Sequence, residues 1–192
     1  MCSSDLERFF GARPIDYWTE LGRRLPTAID IFWTGPVVCS DSISVAHLAD
    51  VGGRLGRAPM LWDNYPVNDG EQASQFLHLS PLAGREAGLA EVSSGHFCNP
   101  MNQPWLSRYP LTGLGRLYGA QASSLDDCFG VELGQQLAQD IEVFEGRGLR
   151  AMPADGLASS AAVDRGFPHP AATEVVDWLE GKYRFDPACL TG

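Results

Sequence analysis

Pro59-Met60-Leu61-Trp62-Asp63-Asn64-Tyr65-Pro66-Val67-Asn68-Asp69 is the stretch whose reading decides the fold. Met60 to Trp62 is apolar and β-compatible, the pattern of a short buried strand. The chemistry then changes abruptly to Asp63, Asn64, Asn68 and Asp69, and Pro66 keeps a helix from starting there. An α/β barrel presents its ligand-binding groups in this way, on turns at the C-terminal ends of buried strands. A plain strand followed by an Asn/Asp-rich turn has the same local pattern. Both readings stand at this level.

Working outward, the same handover occurs on either side. Ile29 to Trp33 runs into Thr34-Gly35-Pro36, and Ser94 to Cys98 runs into Asn99-Pro100-Met101-Asn102. The second of these strands is polar for a core position. Between Asp69 and Glu91 lies a long connection that carries Leu79-Ser80-Pro81-Leu82-Ala83-Gly84-Arg85.

The ordered blocks IFWTGP, LWDNYPVND, LSPLAGR and CNPMNQ resemble glycoside hydrolase family 84, across roughly residues 15 to 120. That family includes β-N-acetylglucosaminidases, O-GlcNAcases and some hyaluronidases. The resemblance implies an α/β fold: the C-terminal part of a (β/α)8 TIM-type barrel, about three strands with their helices, followed by an α-helical segment. A whole barrel takes ~250 residues, more than this chain of 192 supplies. The expected organisation is 7–122 as a partial glycosidase barrel and 123–192 as a helical extension. Residues 1–6, MCSSDL, read as translated sequencing adapter joined to a reading frame cut before Glu7.

The resemblance also implies the chemistry. Family 84 enzymes use the sugar's own acetamide oxygen to attack the anomeric carbon, an exception to the scheme with an enzyme nucleophile. The two carboxylates that assist are adjacent aspartates after the fourth strand, upstream of anything in this chain, so no catalytic residue is expected here. Asp126-Asp127 is the one Asp pair present, but it follows the last barrel strand and reads as the acidic first turn of a surface helix. What remains is the sugar-holding half. Asn64, Asp69 and Asn99 match the family's binding positions, and Trp62 offers an apolar wall to the acetamide methyl or a sugar face. Amides supply a donor and an acceptor to hydroxyls, and a carboxylate can accept two hydrogen bonds. Asn102 and Tyr65 are weaker candidates, and Asp63 reads as an anchor that orients Asn64. The parent is thus expected to remove terminal β-linked N-acetylglucosamine from a glycan or glycoprotein, with the 192-residue chain itself inactive. The alternative is a non-catalytic carbohydrate-binding protein on the same scaffold.

Composition limits the partners. A net charge of −10 argues against a nucleic-acid surface, and no apolar run is long enough to span a membrane. The five cysteines are dispersed, with no metal-ligand spacing, and point to buried thiols in a reducing, cytoplasmic setting. Gly113 and Gly115 make no dinucleotide fingerprint, so neither cofactor nor metal is expected. Helices are predicted over 15–25 up to Pro26, from an Asp41-Ser42 cap to about Leu55, over 111–118, over 133–144, and from Pro170 onward. His47 is expected on the surface or interface of the second of these. Residues 149–166 read as a linker or weak helix.

Overall fold

The computed structural model describes residues 11–186 except 13, 155, 158, 159 and 162–164. The MCSSDL segment, Cys2 and Cys189 lie outside the described residues. The chain forms two compact units, one of residues 1–64 with 83–99 and the other of 65–82 with 100–192.

The first unit is a three-stranded parallel sheet in the order β1-β2-β3. Its strands are β1 (Phe32–Trp33), β2 (Met60–Asp63) and β3 (Gly95–Cys98), with α1 (Tyr17–Arg24), α2 (Val45–Leu55) and the one-turn α3 (Leu89–Val92). Ile31, Val51 and Leu55 form a buried cluster under Trp18, Leu21, Leu25 and Trp33. The spacing of the apolar residues predicts α1, but the helix starts two residues later than expected. Ile15 is fully exposed, so the buried face runs from Trp18. The cap of α2 also differs. Ser44, not Asp41 or Ser42, accepts from the His47 N–H, because the Asp41 carbonyl is held by Arg85 and Ile43 is paired with the Gly84–Glu86 segment.

Two close approaches explain residues with no obvious local role. A Cβ on Gly22 would lie 1.9 Å from the Leu55 carbonyl oxygen, so α1 and α2 touch backbone to backbone. Arg57 then donates to the carbonyls of Gly22, Leu25, Pro26 and Ile29, satisfying the end of α1. This shortens β1: the Ile29 carbonyl goes to Arg57 instead of a neighbouring strand. On one face of the sheet Phe32, Trp62 and Phe97 are exposed, with ring centroids 5.2 Å (Phe32–Trp62) and 5.9 Å (Phe32–Phe97) apart.

The second unit is helical. It comprises α4 (Arg108–Leu117), α5 (Leu125–Phe129), α6 (Val131–Gly146) and α7 (Pro170–Leu179), with short 3-10 turns at Ala73–Gln75 and Leu149–Ala151. Leu77, Leu79, Leu106, Leu133, Leu137, Phe144, Val175 and Trp178 belong to its core. Pro170 occupies the first turn of α7, as its fixed φ favours. Asp126 and Asp127 are exposed in the first turn of α5, where Ser124 and Asp127 form a reciprocal capping box. Among the described residues no helix is long and apolar enough to cross a membrane.

Candidate functional site

Strand alternation builds the site. Trp62 faces the exposed side of the sheet and is 39% exposed, whereas Asp63, one residue on, is 1% exposed on the opposite side. The parallel register pairs Asp63 with Cys98, which puts Asn64 and Asn99 side by side just past the ends of β2 and β3. The Asn99 N–H donates to the Asp63 carbonyl at 2.8 Å, extending the ladder by one bond.

Three of the four expected site residues therefore meet. Trp62 Nε1 donates to Asn64 Oδ1 at 3.1 Å, and Asn99 Nδ2 donates to the same oxygen at 2.9 Å. Asn64 Nδ2 donates to the Val38 carbonyl at 2.8 Å. An indole N–H is a donor only and a carbonyl an acceptor only, so these neighbours dictate which way the Asn64 amide points. Both lone pairs of Oδ1 are taken. Among the described residues one Asn64 N–H, and on Asn99 the Oδ1 and a second N–H, have no partner.

Behind the amides lies a buried charge network. Arg85 Nε donates to Asp63 Oδ2 at 2.6 Å and Nη2 to Oδ1 at 2.5 Å, with side chains 5% and 1% exposed. His96 Nε2, also buried, sits 3.2 Å from Asp63 Oδ2. An ionised carboxylate only accepts, so His96 Nε2 is the donor in this contact. Burial pushes the Asp63 carboxyl up, but the hydrogen bonds from His96 and Arg85 and their charges outweigh it and hold the group below the ordinary carboxylate range. Burial, with Asp63 nearby, pushes the Cys98 thiol up to about 12. Asp63, His96 and Cys98 place one ligand atom each within 4.8 Å of one another, close enough for a single ion. Such an ion would have to compete with Arg85 for a carboxylate oxygen and strip a firmly held thiol proton.

Asp69 belongs to the second unit, where its side chain is exposed. Its neighbour Asn68 is buried, donating to the Phe76 carbonyl at 3.0 Å and to Gln103 Oε1 at 2.9 Å and accepting from the Asn102 N–H at 3.0 Å. Tyr65, one of the weaker candidates, donates its hydroxyl to the Ser80 carbonyl at 2.5 Å and stacks on His78. His47 accepts from Trp33 Nε1 at 3.0 Å, an interface role. Arg85, His96 and Gln103 are the polar residues to which reasoning from the sequence gave no role, and Asn68, read there as part of the polar turn, is buried in hydrogen bonds of its own. The available signal for Arg85 was its place in the LSPLAGR block: Gly84, with φ +71°, has no room for a Cβ, which would lie 2.1 Å from the Asp41 carbonyl oxygen.

Comparison with known proteins now bears on this geometry. The family model for beta-N-acetylglucosaminidase matches residues 6–128, more than half of the chain. The chain belongs to this family, glycoside hydrolase family 84. Protein O-GlcNAcase of Rattus norvegicus and of Mus musculus are each 37% identical to it over 84 residues, covering 44% of this chain and 9% of theirs. A Thermobaculum terrenum O-GlcNAc hydrolase mutant superposes with a TM-score of 0.66 at 27% identity, covering 88% of this chain and 45% of that one. CpGH84B superposes with a TM-score of 0.58 at 19% identity over 94% of this chain and 43% of its own, a likeness of fold. The chain thus spans less than half the length of these family relatives. Its parallel sheet with helices is similar to family 84 catalytic domains.

Proposed function

We propose that this chain is the sugar-holding, C-terminal part of a family 84 (β/α)8 catalytic barrel followed by a helical segment. Its parent would be a retaining exo-β-N-acetylglucosaminidase acting on N-acetylglucosamine-bearing glycans or glycoproteins. The observation that carries this reading is the amide pair Asn64–Asn99, locked in one orientation beside the exposed Trp62 ring, in a member of this family. The one Asn64 N–H left over suits an acceptor on the sugar, and the Asn99 amide suits a hydroxyl that both donates and accepts. The Trp62 indole offers a flat apolar face to a sugar ring or an acetamide methyl. Asp69 takes its role, a charged acceptor for sugar hydroxyls, from the family match alone. The exposed rings of Phe32 and Phe97 on the same sheet face support the barrel reading, since further strands closing a barrel would cover them.

In the reaction proposed for the parent, the substrate acetamide oxygen attacks the anomeric carbon and the glycosidic bond breaks as the leaving oxygen takes a proton. Water then opens the cyclic intermediate with a second inversion, so configuration is retained. The aspartates that polarise the acetamide and supply the proton are assigned to a strand before β1, and Asn64, Asn99, Asp69 and Trp62 hold the ring while this happens.

Steady-state kinetics on the full-length protein with an aryl β-N-acetylglucosaminide test the reading. Asp69→Ala removes charged hydrogen bonds that contribute on the order of 1.5–3 kcal/mol each, so kcat/KM should fall at least roughly tenfold. Asn99→Ala should lose less, its hydrogen bonds being neutral. Asp126→Ala, on an exposed helix turn, should leave the rate unchanged. Loss of activity in Asp126→Ala with full activity in Asp69→Ala would refute the assignment. Sugar binding with no turnover in the full-length protein would favour a carbohydrate-binding protein over an enzyme.

A further inference from the structure

The Asn64 amide is enclosed from two sides, and Arg85 touches both. On one side is Asp63, the residue before Asn64, whose carboxylate takes two Arg85 donors and whose carbonyl takes the Asn99 N–H. On the other is the turn that supplies the Val38 carbonyl to Asn64 Nδ2. That turn is closed by Ser40, whose hydroxyl donates to the Val37 carbonyl at 2.8 Å with the Thr34 carbonyl 3.1 Å away. Beyond Ser40, Arg85 Nη1 donates to the Asp41 carbonyl at 2.9 Å, and the Ile43 N–H donates to the Gly84 carbonyl at 2.9 Å. A third bond, from Nη1 to the Ala83 carbonyl, fixes the guanidinium to its own loop. Three of the five N–H groups of Arg85 are thereby spent on elements flanking Asn64 and a fourth on its own loop.

We infer that Arg85, with His96 in support, is a positioning residue for the Asn64–Asn99 amide pair, acting through Asp63 and the 38–43 segment and not through the sugar. This rests on the sugar-binding reading of the amides. Its physical basis is the shape of the guanidinium. A planar fork fixes the plane of the carboxylate as well as its charge, and so fixes the main chain where β2 ends. A compact ammonium group supplies the charge without the plane. His96 contributes a single donor to Asp63 Oδ2, an oxygen that Arg85 already holds, and so matters less.

The test is a double-mutant cycle in the full-length protein, read as kcat/KM on an aryl β-N-acetylglucosaminide and as Tm. Arg85→Met should lower kcat/KM by about a hundredfold, the scale of a small misplacement of a binding group. In an Asn64→Ala background the same change should cost clearly less, about tenfold or under, because one of the two amides it positions is gone. Arg85→Lys should keep most of the Tm yet leave kcat/KM down by roughly tenfold or more. A purely structural role would move Tm and rate together. Wild-type kcat/KM in Arg85→Lys, or an Arg85→Met loss that adds in full to Asn64→Ala, would overturn the inference. Should Arg85→Met not fold, the Arg85→Lys rate and Tm decide alone. If Asn64→Ala itself has wild-type kinetics, the sugar-binding reading fails first and this inference with it.

Discussion

Asp63 and Glu174 are two carboxylates withdrawn from water to nearly the same degree, 1% and 7% exposed, one in each unit of the chain. Their ionisation moves in opposite directions. Asp63 is held below the ordinary range by His96 and Arg85 despite burial. Glu174 is pushed up by burial, which the main-chain N–H groups of Trp105 and Leu106 only partly offset and to which Asp177 adds. Burial raises both; a fixed cation reverses the result where N–H dipoles do not. The difference matches what each does. Asp63 lies directly behind the candidate site and fixes the strand ends, whereas Glu174 reaches from α7 to tie down the turn before α4.

The largest effect should come from breaking the stronger of the two. Asp63→Asn leaves Arg85 as an uncompensated buried cation, and removing one partner of such a pair costs about 3–5 kcal/mol. Hydrogen exchange should show the loss as lower protection across 60–63 and 95–99, with the second unit's core retained. Equal loss in both units would mean that the two carboxylates do not serve separate structures. Next in size is Glu174→Ala, which leaves the Trp105 and Leu106 N–H groups without their acceptor. The expected cost is about 2 kcal/mol, since the burial cost of the charge disappears with it. Urea denaturation, read as a shift in midpoint at unchanged m, checks it.

A pH series sharpens the comparison without mutation. Folding lowers the Asp63 pKa, so its share of stability is present above the ordinary value of 3.8 and is lost only as pH falls through the lower folded value. Folding raises the Glu174 pKa, so its contribution declines as pH rises from the ordinary value of 4.5 through the raised one. Acidification toward 4.5 should therefore increase protection of the Trp105 and Leu106 amides while that of the Asn99 amide holds. Movement of both in the same direction would break the contrast. The smallest expected effect is Ser124→Ala, which removes the α5 capping box in the second unit, about 1 kcal/mol by thermal melting. It should leave protection in the first unit unchanged.

Much of this molecule follows from local sequence. Apolar spacing and the proline at its start place α7, and the turn chemistry after each strand locates Asn64 and Asn99. The capping pattern at Ser124 and Asp127 explains the acidic first turn of α5 and shows why that Asp pair belongs to helix geometry. Where local rules failed, a distant group had intervened. Arg57 took the Ile29 carbonyl and shortened β1, and contacts around Asp41 moved the α2 cap to Ser44.

By itself the sequence determined the alternation that puts Trp62 on one face and Asp63 on the other, because side chains on a strand alternate whatever surrounds them. It determined the family as well, through ordered blocks whose spacing is a linear property. Only the tertiary structure decided what Asp63 faces. Arg85 lies 22 residues away and His96 lies 33 away, and neither separation encodes a contact. The parallel register of β2 and β3 and the turn at Gly84 bring the three together. Once they meet out of water, the ion pair fixes the strand ends, and the direction of the Asn64 amide follows from the donors and acceptors around it.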